Sequence, residues 1–304
     1  MKVLKGMALG LAGFFLFLSL FFLGLIFTLN STILNPQFMV DEVEKLDLAT
    51  AVREILTDQV LLDDAYIAAI NETLLDLKPW INQQISDAIY TVYDYLSGES
   101  EDISFTVPME TLKLKLVDNL AQAYLRSPPP EYARLPASEK ERYLANIRQQ
   151  TLDTVPAKIE VNEINLGADI FQALRQAREI INYIRTGYFA LIGSVVVLIV
   201  LVVFILREAK SISRSLGIIF ILAGAISVAA FLILKSAIVG MTLSYDIMPE
   251  FQAWMPVVIN DVLSPWGVFG FSFLACGIIL LAISFFVPGN QPAYDDEPTS
   301  ENTL

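Results

Sequence analysis

The sequence predicts a mainly α-helical membrane protein: a four-helix transmembrane bundle joined to a mostly helical extracytoplasmic domain carrying a small two-stranded ribbon. Three observations predict it. Hydrophobic residues make up 55% of the 304, while charged residues make up only 17%, below the roughly 25% of an ordinary soluble domain. The charges are crowded together, with 25 acidic and 14 basic residues in 31–187. Four runs, 7–29, 188–206, 216–234 and 267–287, contain no Asp, Glu, Lys or Arg. About 20 apolar residues are needed to cross the hydrocarbon core, and a helix satisfies its own backbone there.

The first run, with Lys2 and Lys5 before it, superficially resembles a secretory leader. Its apolar stretch is longer than the usual 7–15 residues and no A-x-A-like site follows, so residues 1–30 are expected to be a short cytoplasmic start and an uncleaved first span. Basic residues in short flanks mark the cytoplasmic side. Lys2 and Lys5 precede the first span, and Arg207, Lys210 and Arg214 fill the turn 207–215 between the second and third. Both termini are therefore expected in the cytoplasm of a cell-membrane protein, with 31–187 and the loop 235–266 outside. The tail 288–304, with Asp295, Asp296, Glu297 and Glu301, reads as disordered, acidic and cytoplasmic.

Within 31–187, Asn35-Pro36 opens a helix, Pro being suited to a first helical position. Helical spacing recurs at Phe38, Val43 and Leu46, at Val52, Ile55, Leu56 and Val60, and after Asp63-Asp64 at Tyr66, Ile67, Ile70, Leu74 and Leu77. Pro79 starts another helix, which Gly98 ends. Residues 103–107 alternate as a strand does. A helical stripe follows at Leu112, Leu116, Leu120 and Tyr124, broken by Pro128, Pro129 and Pro130. Ser138 and Glu141 read as a capping box for a helix to about Thr151. Residues 158–161 are a second strand, able to pair with the first. The last helix, from Ala168, runs toward the second span. The first and last helices of the domain are expected to continue the first two spans, so that a movement outside could reach the membrane through rigid elements. In the second loop, 249–263 reads as an amphipathic helix. Either it lies at the lipid surface with Trp254 and Trp266 at headgroup depth, or it caps the outer domain.

Chemistry is sparse. There is no histidine, which removes the commonest general base and metal ligand. The single cysteine, Cys276, sits in an apolar run and forms no intramolecular disulfide. Asp63-Asp64 and Glu99, Glu101 and Asp102 match no trusted calcium loop, and solvated turns account for them. No nucleophile elbow, phosphate loop, C-x-x-C or HExxH motif occurs. No catalytic, cofactor-binding or metal residue is expected, and no cofactor. The net charge of −13 repels phosphate backbones, so nucleic acid is not an expected partner. The apolar runs hold none of the ionisable groups that mark ion paths. Small residues recur in or beside them, Gly6 and Gly10, Ala223 and Ser227, Gly224, Gly267 and Gly270, which favour close helix packing within the bundle or between copies. The sequons at Asn30 and Asn71 are uninformative.

Tyr93-Asp-Tyr-Leu-Ser-Gly-Glu-Ser, Ile103-Ser-Phe-Thr-Val-Pro-Met-Glu-Thr-Leu-Lys and Arg214-Ser-Leu-Gly-Ile-Ile carry a resemblance to uncharacterised bacterial four-span membrane proteins with a helical domain between spans one and two. That resemblance implies topology and no activity. The expected role is non-enzymatic: an interaction, scaffold or sensory-adaptor protein working through its outer domain. The alternative is an accessory or pore-forming subunit of a transporter or channel. The lipid bilayer is one expected partner, and a membrane protein or a further copy of the chain is another.

Overall fold

In the computed structural model, which describes residues 2–46, 64–242 and 249–287, 86% of the described residues are helical, and two strands form a small antiparallel sheet. The elements in order are α1 (Lys2–Ser31), α2 (Pro36–Glu44), α3 (Asp64–Asp76), α4 (Lys78–Ser97), β1 (Ser104–Pro108), α5 (Glu110–Arg126), α6 (Pro130–Ala133), α7 (Ala137–Thr154), β2 (Lys158–Asn162), α8 (Glu163–Leu166), α9 (Ala168–Leu206), α10 (Ala209–Thr242) and α11 (Pro249–Phe286). The expected helical repeat at Val52–Val60 and the acidic tail lie outside the described residues.

Four helices are long and apolar enough to cross a membrane: Val3–Ser31, Ala168–Leu206, Ala209–Ile238 and Phe251–Phe286. This is the pattern of a multi-pass membrane protein. Several extend well beyond the apolar runs. At 1.5 Å per residue, the 38 residues of α11 span about 57 Å, nearly twice the hydrocarbon thickness. The amphipathic segment 249–263 and the fourth apolar run are thus one unbroken helix. The chain behaves differently after the first run: α1 stops at Ser31, and α2 begins afresh at Pro36. Asn35 caps α2 by accepting the Gln37 N–H at 3.1 Å. The first helix of the domain is therefore a separate element, whereas the last, α9, continues through the second apolar run.

The chain divides into two compact units. One comprises Met1–Phe27, Gly187–Ile233 and Ser264–Leu304. Its centre is Ala12, Leu16, Leu20, Val202, Leu216 and Ala223, with Phe220 edge-on to Phe273 at 5.1 Å. The hydroxyls find partners inside: Ser19 and Ser194 lie 3.3 Å apart, and Ser213 donates to the Leu280 carbonyl at 2.5 Å. The outward faces are apolar, with Phe204, Val197 and Phe271 more than half exposed. A soluble unit would not display such a surface.

The other unit comprises Thr28–Thr186 and Leu234–Leu263. One core joins α3 to α5 through Ala65, Ala69, Leu120, Ala123 and Tyr124, and Tyr132 and Tyr143 from α6 and α7 complete an aromatic cluster. Beneath it, Asn119 is 3% exposed and donates to the Thr73 hydroxyl at 3.1 Å and to Asp76 at 3.3 Å. The Lys115 ammonium and the Asn119 amide hold the Asp76 carboxyl below its ordinary range. A second core consists of Tyr95, Ile103 and Phe171. Gly98 ends α4 in the left-handed region at φ 84°, a conformation that favours glycine. The ribbon pairs in the register Phe105 with Val161 and Thr106 with Glu160. The capping box read at Ser138 and Glu141 does not form: α7 starts earlier, at Ala137 after Pro136, and has no side-chain cap. Ser138 falls inside the first turn instead.

Candidate interaction face

The N-terminal half of α9 has two unlike sides. Gly167, at φ 83°, lets the chain turn sharply from α8 into α9. One side of the helix then faces its own unit. Phe171 is buried against Tyr95, with ring centroids 5.9 Å apart. The Arg175 guanidinium lies 4.8 Å from the centre of the Phe171 ring, and that of Arg178 lies 4.8 Å from the Tyr95 ring. These stacks hold the cations by ring quadrupole and surface contact.

Among the described residues, the other side has no such cover. Residues three and four apart share a helix face, so Ile170, Ala173, Ala177, Ile180 and Ile184 form one stripe, with Tyr183 at its margin. Ile170 is 54% exposed, Ile180 57% and Tyr183 78%; Ala173 is exposed, and Ala177 and Ile184 are half-buried. Ile164 of α8 adds to the surface at 87% exposure. A groove of about 540 Å³ lies on the side of Phe171, away from the stripe, lined by Glu163, Ile164, Ala168, Phe171, Gln172 and Arg175. Single exposed aliphatic residues are ordinary, but an ordered apolar stripe is a mark of an interaction site.

A charged cluster occupies another part of the same unit. The Lys45 ammonium donates to Glu42 at 2.6 Å and to Asp261 at 2.7 Å, tying the end of α2 to α11. The Trp254 indole N–H donates to the Glu42 carbonyl at 2.8 Å. Asn260 donates to Asp261 at 3.2 Å and accepts from Lys235 at 2.6 Å. The Glu42 side chain is 3% exposed, and its Oε2 has no hydrogen-bond partner among the described residues. Asp261 first, then Glu42, raises the Lys45 pKa above its ordinary 10.5. With the two carboxylates ionised, Lys45's share of the stability is therefore fully present below that value and fades as pH climbs through its higher folded pKa. Lys45→Met is expected to cost about 1–3 kcal/mol, mostly by leaving a buried carboxylate without its cation. Adding Glu42→Gln should recover part of that loss. Urea unfolding of the detergent-solubilised double-mutant series measures both; equal losses in the single and double variants would show that Glu42 is not the reason.

The residues singled out from the sequence fall in several places. Trp254 is half-buried and pinned to Glu42. Trp266 is 3% exposed, edge-on to Phe21 at 5.7 Å, with its Nε1 unpartnered among the described residues. Lys5, Arg207, Lys210 and Arg214 are exposed, and the Arg207 guanidinium rests over the Phe204 ring. Lys2 begins α1. Glu99, Glu101 and Asp102 are exposed, and no group of three metal-ligating side chains gathers among the described residues. Sequence reasoning missed the α9 stripe and the Lys45 cluster. The stripe was visible as spacing from Ile170 to Ile184, but which side the domain covers was not. No family model, curated protein or solved structure matches this chain at a significant level.

Proposed function

We propose that this chain is a non-enzymatic, multi-pass protein of the cell membrane that acts as an interaction or adaptor protein, binding another protein through residues 31–187 on the outer side. The carrying observation is the apolar stripe on α9 that no described residue covers, in a stretch whose other sides are charged, polar or packed. The orientation rests on Lys2, Lys5, Arg207, Lys210 and Arg214, whose distribution in short basic flanks supports cytoplasmic termini. The four long apolar helices supply the anchor.

The test combines position and capture. A photo-crosslinking amino acid placed at Ile180 is expected to trap a protein in intact cells, whereas the same group at exposed Gln150 of α7 is not. In the same cells, a cysteine at Glu99 should react with an impermeant maleimide and one at Ser211 should not. Labelling at Ser211 alone would invert the topology, and equal capture at both crosslinking positions would remove the stripe from the proposal. A captured transporter or channel would make this chain its accessory subunit.

A further inference from the structure

We infer that the α9 stripe is the seam of a parallel, two-fold pairing between two copies of this chain. This rests on reading the stripe as a protein-binding face and names its partner. With Ile170 as the first position of a seven-residue repeat, Ile170, Ala173, Ala177, Ile180, Ile184 and Gly187 occupy the two seam positions. The flanking positions from Ala173 onward are Leu174, Gln176, Ile181, Tyr183 and Tyr188. None is charged. Arg175, Arg178, Glu179 and Arg185 all fall at the positions that turn away from the seam, and Asp169 at its N-terminal end is the one charged residue of 168–187 that flanks it. This is the distribution that brings two helices together along a 3.5-residue period.

Charge favours a second copy as the occupant. Residues 31–187 carry 25 acidic and 14 basic residues, so two such domains repel over most of their surfaces. Along 168–187 the balance reverses, with Arg175, Arg178 and Arg185 against Asp169 and Glu179. Two acidic domains therefore meet here with less of that repulsion than elsewhere on their surfaces. An acidic foreign partner would need arginines along the seam, yet Arg175, Arg178 and Arg185 all turn away from it, the first two over the rings of Phe171 and Tyr95. An uncharged stripe is self-complementary, as a two-fold interface requires. The same helix carries the second apolar run, so copies inserted in one membrane present their stripes in parallel. Ala173 and Ala177 are small enough for close approach.

The experiment uses full-length protein in native membranes, with Cys276→Ser as background and one cysteine added at a time. Under mild oxidation, Ala173→Cys and Ile180→Cys are expected to form disulfide-linked dimers, and Gln172→Cys and Glu179→Cys are not. Ile180→Glu, at a solvent-exposed position, should cut the dimer population of the purified protein in detergent by about tenfold or more, because like charges then face across the seam. Dimers at none of the four positions, or at all four alike, overturn the pairing. If the seam cysteines stay monomeric while a crosslinker at Ile180 traps a different protein, the stripe binds a partner but not itself. If neither experiment captures anything, both readings fail.

Discussion

Replacing Gly224 with leucine is expected to disrupt the packing of α10 on α11, at a cost of about 3 kcal/mol or more. Two glycines seven residues apart on α10, Gly217 and Gly224, meet Gly277 and Gly270 of α11. A Cβ on Gly224 would lie 2.5 Å from the Leu274 backbone nitrogen and 2.7 Å from the Gly270 carbonyl oxygen. One on Gly277 would lie 2.7 Å from the Ile221 nitrogen and 2.8 Å from the Gly217 oxygen. These neighbours are backbone, which cannot rotate aside as a side chain can. Overpacking usually costs 1–3 kcal/mol, and a rigid helix–helix contact belongs at or above the upper end. In lipid, the contact itself is what holds helices together, since apolar side chains gain little from leaving hydrocarbon. Gly10→Leu is the control: nothing lies within 4 Å of its Cβ, so its effect should stay within about 0.5 kcal/mol. Unfolding of the purified variants in mixed micelles, followed by tryptophan fluorescence, separates the two. Similar stability for Gly224→Leu and Gly10→Leu would refute the close backbone contact.

That contrast also shows how far the sequence could be read. Gly6-Gly10 and Gly224 look alike as small residues in apolar runs, yet only Gly224 touches another helix within the chain. Small size states that close approach is possible; the partner depends on helix rotation, which an apolar run without polar marks leaves open. The four apolar runs and the ribbon between 103–107 and 158–161 were legible because both rest on local pattern, length in one case and alternation in the other. Helix ends were less so. The amphipathic stretch 249–263 differs from the fourth run in composition, but composition does not break a helix, and α11 runs through both. The Lys45 cluster joins residues 216 positions apart, and no spacing rule reaches that distance. On α9 the periodicity was present, but its uncovered side became identifiable only once Phe171, Arg175 and Arg178 had been placed against the domain.

Those three residues make Tyr95 the second position of large effect. Its side chain is 2% exposed, in a core shared with Ile103 and Phe171. Tyr95→Ala removes the ring that Phe171 packs against and that Arg178 covers. Truncating a buried aromatic costs about 3–5 kcal/mol, through lost burial and the cavity left behind. Tyr95→Phe keeps the ring and should cost no more than about 1.5 kcal/mol, the scale of one net hydrogen bond. The loss in the alanine variant should also be local first, because α9 is held on this side by the aromatic and guanidinium stacks. Trypsin is therefore expected to cut at Arg175 and Arg178 sooner in Tyr95→Ala than in Tyr95→Phe, at urea concentrations where the α3–α5 core still resists. Pulse proteolysis of the full-length protein in detergent reads both the stability and the order of cleavage. Faster cutting that begins instead within α5 or α7 would mean that Tyr95 supports the whole unit and not the placement of α9. The stripe would then owe its exposure to something other than the ring beneath it.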